Sequence, residues 1–264
     1  MRDALRSRWF ALYALAFAAL AAGLSFLSLG GADLVGFAAF GRTAAGLINL
    51  VILIVPLMAL TIGAQSIALE AEKGTLGLLL AQPVSRTEVI TGKFLGASLA
   101  LLGALTLGFG GSALLLSPYV AAAAPPALLA WLVGVAFLFA IAMLALGFLI
   151  SSLSARAGVA TGVAIFVWFG LVLLGDLGLM GSALIMKIST PALLGLAMAN
   201  PVQAFKIASL LGLNATLDLL GPAGMYAVTA YGAGLAGVLV AILAAWTLAP
   251  LGLAWVAFSR KNVR

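Results

Sequence analysis

The 264-residue chain contains no cysteine and no histidine, and only 8% of its residues are charged. The missing cysteines exclude disulfides and thiolate metal sites. The missing histidines remove the commonest general base and the commonest metal ligand. We therefore expect no catalytic residue, no metal site and no cofactor bound by this chain.

The low charge also excludes an ordinary soluble domain, in which about a quarter of the residues are charged. Hydrophobic residues make up 65% of the chain, and a lipid bilayer accepts helices that are apolar on every side. Each crossing helix needs about 20 apolar residues. The length therefore predicts an all-α integral membrane protein with six transmembrane helices, forming one domain over residues 1–264.

The apolar runs locate these spans. The predicted spans are residues 9–29, 43–69, 94–116, 127–150, 157–174 and 223–249. The first span follows several arginines, as in a signal peptide, but it exceeds the ~7–15 apolar residues of a signal peptide, so we expect a retained helix. Residues 175–222 form the longest connection, on the outer side.

Lysine and arginine are divided unequally between the two sides of this arrangement. Ten cations lie on the inner side: Arg2, Arg6, Arg8, Lys73, Arg86, Lys93, Arg156, Arg260, Lys261 and Arg264. Three lie on the outer side: Arg42, Lys187 and Lys206. Because cytoplasmic loops carry the excess of lysine and arginine, we expect both termini in the cytoplasm. These anchors also explain the net charge of +6 without nucleic acid. A seventh span over residues 180–199 would bury Lys187, so we do not expect one.

The spans contain only mild polar residues. Proton- and ion-coupled carriers use ionisable groups inside the membrane, and here every charged residue falls in a loop or at a helix end. This distribution argues against a secondary transporter and against a membrane enzyme. Thr61 and Gln65 are four residues apart and share a helix face, which is expected to line a path near the inner end of the second span. Hydrogen bonding between helices is the alternative role for these two residues.

Small residues four apart let helices approach closely. Two pairs of glycines have this spacing: Gly92 with Gly96, and Gly158 with Gly162. Packing within one subunit and packing across a dimer are equally good interpretations of both pairs.

The most informative segment lies between the second and third spans, at residues 70–93. An apolar run from Thr75 is closed by Pro83, which disfavours helical angles in the residue before it. Ser85 and Glu88 then fit a capping box, which predicts that a second helix begins there. The sequence thus predicts a short helix, a sharp turn and a helix on the cytoplasmic surface. A helix that merely rests on lipid is the alternative.

The long outer connection also predicts a helix. Asn200 is a good cap and Pro201 a good first residue, and the helix is expected to end near Gly212. Its stripe of apolar residues is incomplete, with Gln203 and Lys206 beside it, so we expect a surface helix. It could lie in the outer headgroup layer, packed on the bundle, or it could act as a docking platform or a lid. The outer-partner or gate residues predicted on this basis are Asn200, Pro201, Gln203, Phe205 and Lys206.

Residues 70–86 read EAEKGTLGLLLAQPVSR. This string resembles the E-x-E-x-G-T-L-x-L-L-L-x-x-P-x-S-R signature of type-2 ABC exporter permeases, and Gly92-Lys93-Phe94 also matches. The resemblance implies that this coupling segment, residues 70–86, docks on a separate ATPase subunit. The residues that carry the implied coupling role are Glu70, Glu72, Lys73, Gly74, Thr75, Leu76, Leu78, Pro83, Ser85 and Arg86.

Within that family the chain is similar to the NosY-like permeases of NosDFY-type transporters. The similarity is carried by Arg6-x-Arg8-Trp9, by residues 200–206 and by residues 220–224. It implies two copies of this permease, two NosF-like ATPase subunits that hold ATP and Mg²⁺, and a periplasmic NosD-like partner. It also implies a multi-pass protein of the prokaryotic inner membrane.

The resemblance further implies a role in maturing a copper enzyme such as nitrous oxide reductase. Copper itself is a poor cargo, because soft Cu(I) sites use cysteine, methionine or imidazole, and the seven methionines are scattered. A small solute such as a sulfur species is the expected cargo. The alternatives are a mechanotransmitter that reshapes an outer partner, and an exporter of a lipid, peptide or drug.

Overall fold

The computed structural model describes residues 8–29, 37–80, 83–116, 126–175, 177–178, 189–213, 226–227 and 229–260. Within these ranges the chain forms helices and no strand. The helices are α1 (Arg8–Leu29), α2 (Phe37–Glu72), α3 (Thr75–Leu80), α4 (Arg86–Leu116), α5 (Pro126–Leu153), α6 (Ala157–Phe169), α7 (Thr190–Ala199), α8 (Pro201–Gly212) and α9 (Leu235–Arg260). A π-helical turn, Gly170–Leu174, continues α6, and a 3₁₀ turn, Gly232–Gly234, precedes α9.

Five of these elements are long and apolar enough to cross a membrane: α2, α4, α5, α6 with its π turn, and α9. Helix α1 has 22 residues, so its length is about 33 Å at ~1.5 Å per residue, close to the ~30 Å of a hydrocarbon core. Helices α7 and α8 meet at 107° and form a bent pair. The prediction of an all-helical membrane protein is confirmed.

Two predicted boundaries are wrong. Helix α2 begins at Phe37, six residues before the predicted span, and it passes through Pro56 without ending. Helix α9 begins at Leu235 rather than near residue 223, and it continues through Pro250 to Arg260. A proline removes one helical hydrogen bond, but Pro250 is buried and α9 packs along α5, and this packing maintains the helix.

Helix α5 is the centre of the bundle and contacts α2, α4, α6, α8 and α9. Its approach to α2 is closest where Gly63 faces Gly147. A Cβ atom on Gly63 would lie 2.6 Å from the Leu144 carbonyl oxygen, so a larger residue would force the helices apart. One turn further on, the Ser151 hydroxyl accepts hydrogen bonds from the amides of Ile67 at 2.9 Å and Ala68 at 2.8 Å.

The glycine pairs noticed in the sequence do not form this contact. Cβ atoms added to Gly92, Gly158 and Gly162 would meet nothing within 4 Å. These three glycines therefore make no close helix contact within the described part of one subunit, and packing across a dimer stays a prediction for them.

Candidate functional site

The coupling segment begins with a tight turn between α2 and α3. The Lys73 amide donates to the Leu69 carbonyl at 3.1 Å, and the Gly74 amide donates to the Ala71 carbonyl at 3.2 Å. Gly74 has φ of 70°, a left-handed conformation that glycine adopts without steric cost. The Thr75 hydroxyl donates to the Glu70 carbonyl at 3.3 Å across the turn. The predicted short helix is present as α3.

Helix α3 presents both a buried and an exposed side. Leu76 is buried at 3% exposure against the bundle, whereas Thr75 and Gly77 are exposed. Leu78 lies in the same helix, and Pro83 follows in the exposed turn before α4. The exposed face of α3 is therefore available to another protein.

The predicted capping box is present at the start of α4. The Ser85 amide and hydroxyl donate to Glu88 Oε2 at 2.7 and 2.8 Å, and the Glu88 amide donates to the Ser85 hydroxyl at 3.2 Å. The first turns of α4, residues 86–93, precede the predicted third span, residues 94–116, and Glu88 is exposed there. There, the hydrogen bonds from the backbone and side chain of Ser85 lower the pKa of Glu88.

Glu72 connects the coupling segment to α6. Its Oε2 accepts a hydrogen bond from the Ala157 amide, the first in α6, at 2.7 Å. The residue at the cap position, Arg156, makes no side-chain capping bond. The Glu72 carboxylate therefore supplies the missing cap, and its negative charge suits the positive end of a helix dipole.

Arg86 connects the other end of the segment to α9. Its Nη1 donates to the carbonyls of Phe258 and Ser259, both at 2.9 Å, and its guanidinium carbon lies 5.9 Å from the centre of the Phe258 ring. A cation at the carbonyl end of a helix is favourable. The Trp255 indole also donates to the Thr87 hydroxyl at 3.0 Å.

Sequence reasoning missed these two contacts. It treated Glu72 and Arg86 as groups presented to an ATPase, whereas both bind helix ends of this chain. The sequence carried no signal for either contact, because Glu72 and Ala157 are 85 residues apart and Arg86 and Phe258 are 172 apart.

A cavity of about 770 Å³ lies beside the coupling segment, between α1, α2, α4, α5 and α6. Thr61 and Gln65 both line it, so the structure brings the predicted pathway residues to one cavity. The Gln65 amide nitrogen donates to the Thr161 hydroxyl at 3.3 Å and bridges α2 to α6. The apolar side chains that line the cavity include Ile62, Phe148 and Ile165.

The charged end of the cavity is formed by the first residues of the signature. Glu70 Oε1 pairs with the Lys93 ammonium at 2.5 Å, and Lys93 also donates to the Ser66 carbonyl at 3.2 Å. Glu70 Oε2 is buried and has no hydrogen-bond partner. Lys73 lines the same end of the cavity.

The outer helix α8 starts and ends as predicted. Asn200 Oδ1 accepts from the Val202 amide at 2.9 Å, Pro201 is the first helical residue, and α8 ends at Gly212. The Asn200 amide nitrogen also donates to the Leu171 carbonyl in the π turn at 2.9 Å. The side-chain oxygen of Asn200 therefore caps α8, and its side-chain nitrogen binds the π turn that continues α6.

The expectation of a surface helix is wrong. Pro201, Gln203 and Phe205 are buried, and Lys206 is half-buried. The Phe205 ring stacks on Phe139 of α5 with 4.7 Å between centroids. Ala204 and Ala208 are both 0% exposed. Small residues such as these let membrane helices approach closely, which allows α8 to be buried.

Helix α8 therefore lies between α5 and α9, and the three buried side chains are poorly placed to contact an outer partner. The assignment of these residues as outer-partner or gate residues stays a prediction.

In the part of the chain that the structure describes, no three or more histidine, cysteine, aspartate or glutamate residues form a cluster that could hold a metal ion. Residues 179–188, which include Lys187, and residues 214–225 lie outside the described ranges, as do Ala81 and Gln82 of the coupling segment.

Comparison with known proteins gives consistent matches over the whole chain. A family model described as "ABC-2 family transporter protein" matches residues 1–263. A protein of Pseudomonas aeruginosa, named "Probable ABC transporter permease protein NosY", is 33% identical over 268 residues, covering 100% of this chain and 96% of the relative. A protein of the same name from Stutzerimonas stutzeri is 32% identical over 270 residues, covering 99% and 95%.

Proposed function

Because this chain belongs to the ABC-2 family of transporter proteins, we propose that it is the permease subunit of an ATP-driven exporter whose ATPase is a separate chain. The coupling segment, residues 70–86, is the proposed docking element for that ATPase. The observation that carries this assignment is the exposed helix α3, flanked by hydrogen bonds from Glu72 to α6 and from Arg86 to α9.

These contacts give docking a mechanical consequence. A force on α3 moves the Glu72 carboxylate and hence the first turn of α6, the helix that carries Thr161 on the cavity wall. The Ser151 hydroxyl holds the last turns of α2 against α5. Motion of the coupling segment therefore changes the spacing of α6 from α2, across which the Gln65–Thr161 hydrogen bond runs.

The cavity is the proposed entry site for the exported solute. Its volume of about 770 Å³ falls within the ~300–1,000 Å³ of small-molecule sites. The cargo is proposed to be a small species, such as a sulfur compound, that supports maturation of a copper enzyme like nitrous oxide reductase. The resemblance to NosY-like permeases supports this proposal, and the missing cysteine and histidine argue against copper as cargo.

The proposed assembly contains two copies of this chain and two NosF-like ATPase subunits, with ATP and Mg²⁺ on the latter. A NosD-like periplasmic protein is the proposed outer partner. The chain is placed in the inner membrane with both termini in the cytoplasm, on the strength of its lysine and arginine distribution.

A mechanotransmitter is the second candidate function, and one observation favours it. Helix α6 contacts the coupling segment at Ala157, and the π turn that continues α6 accepts a hydrogen bond at Leu171 from Asn200, the cap of the outer helix α8. A displacement of α6 can therefore reach the outer side without any solute crossing. In that case ATP binding would reshape an outer partner.

Both candidate functions require an ATPase bound to the coupling segment, and co-purification of that ATPase tests this requirement. The tagged full-length chain, isolated from its native membrane in mild detergent, should retain an ATPase subunit. Gly77→Asp places a charge on the exposed face of α3, and burying an unpaired charge at an interface is strongly unfavourable, so this variant should lose the ATPase. Ser189→Asp, at an exposed position next to α7, is the control and should retain it. Equal retention by the two variants would refute the docking assignment.

A further inference from the structure

Glu70 lines the cavity, and one oxygen of its carboxylate is unsatisfied. Its Oε1 holds Lys93, whereas its Oε2 is buried and accepts no hydrogen bond. Leaving a buried acceptor without a partner is unfavourable, and more so when the acceptor is charged. The missing partner must be a hydrogen-bond donor, and a small rotation of the Glu70 side chain would bring Oε2 to the cavity, which has room for a ligand that carries such a donor.

A second charge at the same end, that of Lys73, has no ion-pair partner among the residues that the structure describes. Lys73 also lines the cavity. With Lys93 and Glu70 it leaves this end with a net charge of +1. A ligand with only an ammonium group would be repelled by two lysines, and a ligand with only a carboxylate would leave Glu70 Oε2 unsatisfied.

We infer that the cavity binds a small zwitterionic amphiphile, with its primary ammonium on Glu70 Oε2, its anionic group on Lys73 and its apolar part against Ile62, Phe148 and Ile165. Lys73 continues the helical hydrogen bonding of α2, and helical residues three apart have Cβ atoms about 5–6 Å from each other. An ammonium and an anion on neighbouring atoms of one ligand span such a gap. The inference rests on the proposed function and names the class of its cargo.

The location of this site would connect cargo to coupling. Glu70 lies two residues before Glu72, and its carbonyl accepts the Thr75 hydroxyl of α3. A ligand held by Glu70 and Lys73 therefore contacts the turn that joins α2 to the docking helix. Occupancy of the site stabilises one arrangement of that turn.

Two sources supply this chemistry. A free amino acid carries an ammonium beside a carboxylate, and the headgroup of phosphatidylethanolamine carries an ammonium beside a phosphate. Phosphatidylcholine is a matched control for the lipid, because its quaternary ammonium has no N–H to donate.

The experiment uses the complete complex of permease and ATPase with Thr161→Cys as a probe in the cavity wall. This chain has no other cysteine, so maleimide labelling of the permease band, separated from the ATPase on a denaturing gel, reports on this position alone. Three compounds with one apolar group are compared as protectants: L-phenylalanine, phenethylamine and 3-phenylpropionate. Because phenylalanine can bind both charges and each analogue only one, phenylalanine should protect at roughly tenfold lower concentration than either analogue.

Variants of the two charges assign the contacts. Glu70→Gln should weaken protection by phenylalanine about tenfold without weakening protection by 3-phenylpropionate. Lys73→Gln should weaken protection by phenylalanine and strengthen protection by phenethylamine, because it removes a repelling charge. Glu88→Gln, two residues beyond the coupling segment and outside the cavity, should behave as the parent does.

The lipid source is tested in nanodiscs. If the ligand is a headgroup, phosphatidylethanolamine will slow labelling of Thr161→Cys relative to phosphatidylcholine, and Glu70→Gln will abolish the difference. Preferential protection by either phenylalanine or phosphatidylethanolamine supports the inference and identifies the source. Protection by neither, or equal effects of Glu70→Gln and Glu88→Gln, overturns it. All these readouts omit ATP, so such a failure leaves the proposed function standing if the ATPase still co-purifies.

Discussion

The coupling segment and the outer pair α7–α8 are both helix–turn–helix units with a proline at the turn, but their surroundings differ. Pro83, at the turn of the coupling segment, is exposed, and Ser85 beside it is exposed too. Pro201, at the outer turn, is buried together with most of α8. One unit lies on the bundle surface, whereas the other is inserted into it.

The polar contacts of the two units differ in the same way. The coupling segment reaches the ends of α6 and α9 through charged side chains, Glu72 and Arg86. The contacts of the outer pair include the neutral amide of Asn200, a hydrogen bond from the Trp131 indole of α5 to the Ala208 carbonyl at 3.0 Å, and the stacked rings of Phe139 and Phe205. Charged contacts between an exposed element and helix ends suit an element that a partner displaces, whereas apolar burial fixes an element to its neighbours.

The largest expected effect is on the buried unit. Phe205→Ala removes a ring that is 1% exposed and should lower the free energy of unfolding by about 3 kcal/mol or more, through the cavity it leaves. Leu196→Ala on α7, where the side chain is 54% exposed, should change it by only about 0.5 kcal/mol. Denaturant titration of the purified protein in micelles measures both. Similar losses would show that α8 is not packed as described.

The two caps offer a matched comparison. Asn200→Ala removes a cap and also leaves the Leu171 carbonyl without its donor, so we expect a loss of about 2 kcal/mol. Ser85→Ala removes an exposed cap and should cost about 0.5–1 kcal/mol. Hydrogen exchange of the first turn of α8 and of α4 reports each loss locally. A larger effect at Ser85 would reverse the contrast between the two units.

Variants of Glu72 test whether its contact with α6 serves to transmit motion or only to stabilise the fold. Glu72→Ala should cost only about 1 kcal/mol as a lost cap, yet hydrolysis of ATP should continue without movement of α6. Glu72→Gln, whose amide oxygen can still accept from the Ala157 amide, should retain partial coupling, and Glu72→Lys should be worst because it puts a cation at a helix start. Maleimide labelling of Thr161→Cys with and without ATP measures the coupling. A normal nucleotide response in Glu72→Ala would contradict the transmission role.

The smallest expected effect is a pH dependence at Glu88. Its pKa is lowered in the folded chain by the hydrogen bonds from Ser85, so its contribution to stability is present above the unfolded pKa and is lost as pH falls through the folded pKa. After correction for the intrinsic slowing of amide exchange at low pH, the protection factors at the start of α4 should fall on acidification of the parent protein and fall much less in Glu88→Gln. The same acid dependence in both proteins would remove Glu88 as the cause.

The local signals in the sequence predicted much of this arrangement. Gly74, the Ser85–Glu88 box and the Asn200–Pro201 start all depend on neighbours within a few residues, and all three are present. The burial of α8 was mispredicted because it depends on Ala204 and Ala208 meeting helices distant in sequence.

The charged contacts of Glu72 and Arg86 could not be predicted from the sequence for the same reason. Glu72 and Ala157 are 85 residues apart in sequence, and Arg86 and Phe258 are 172 apart. Nothing in the spacing of either residue indicates which helix end it meets. Thr61 and Gln65 were placed on one face by helical periodicity alone, and that face does line the cavity.

The most direct test of the central claim is a crosslink from α3 to the ATPase. Gly77→Cys places the only cysteine of the chain on the exposed face of α3, and Ser189→Cys places it at an exposed position beside the outer pair. A maleimide–amine crosslinker applied to the assembled complex should join Gly77→Cys to the ATPase subunit and leave Ser189→Cys unlinked. If Gly77→Cys stays unlinked in an intact complex, or Ser189→Cys links equally well, the coupling segment is not the docking element.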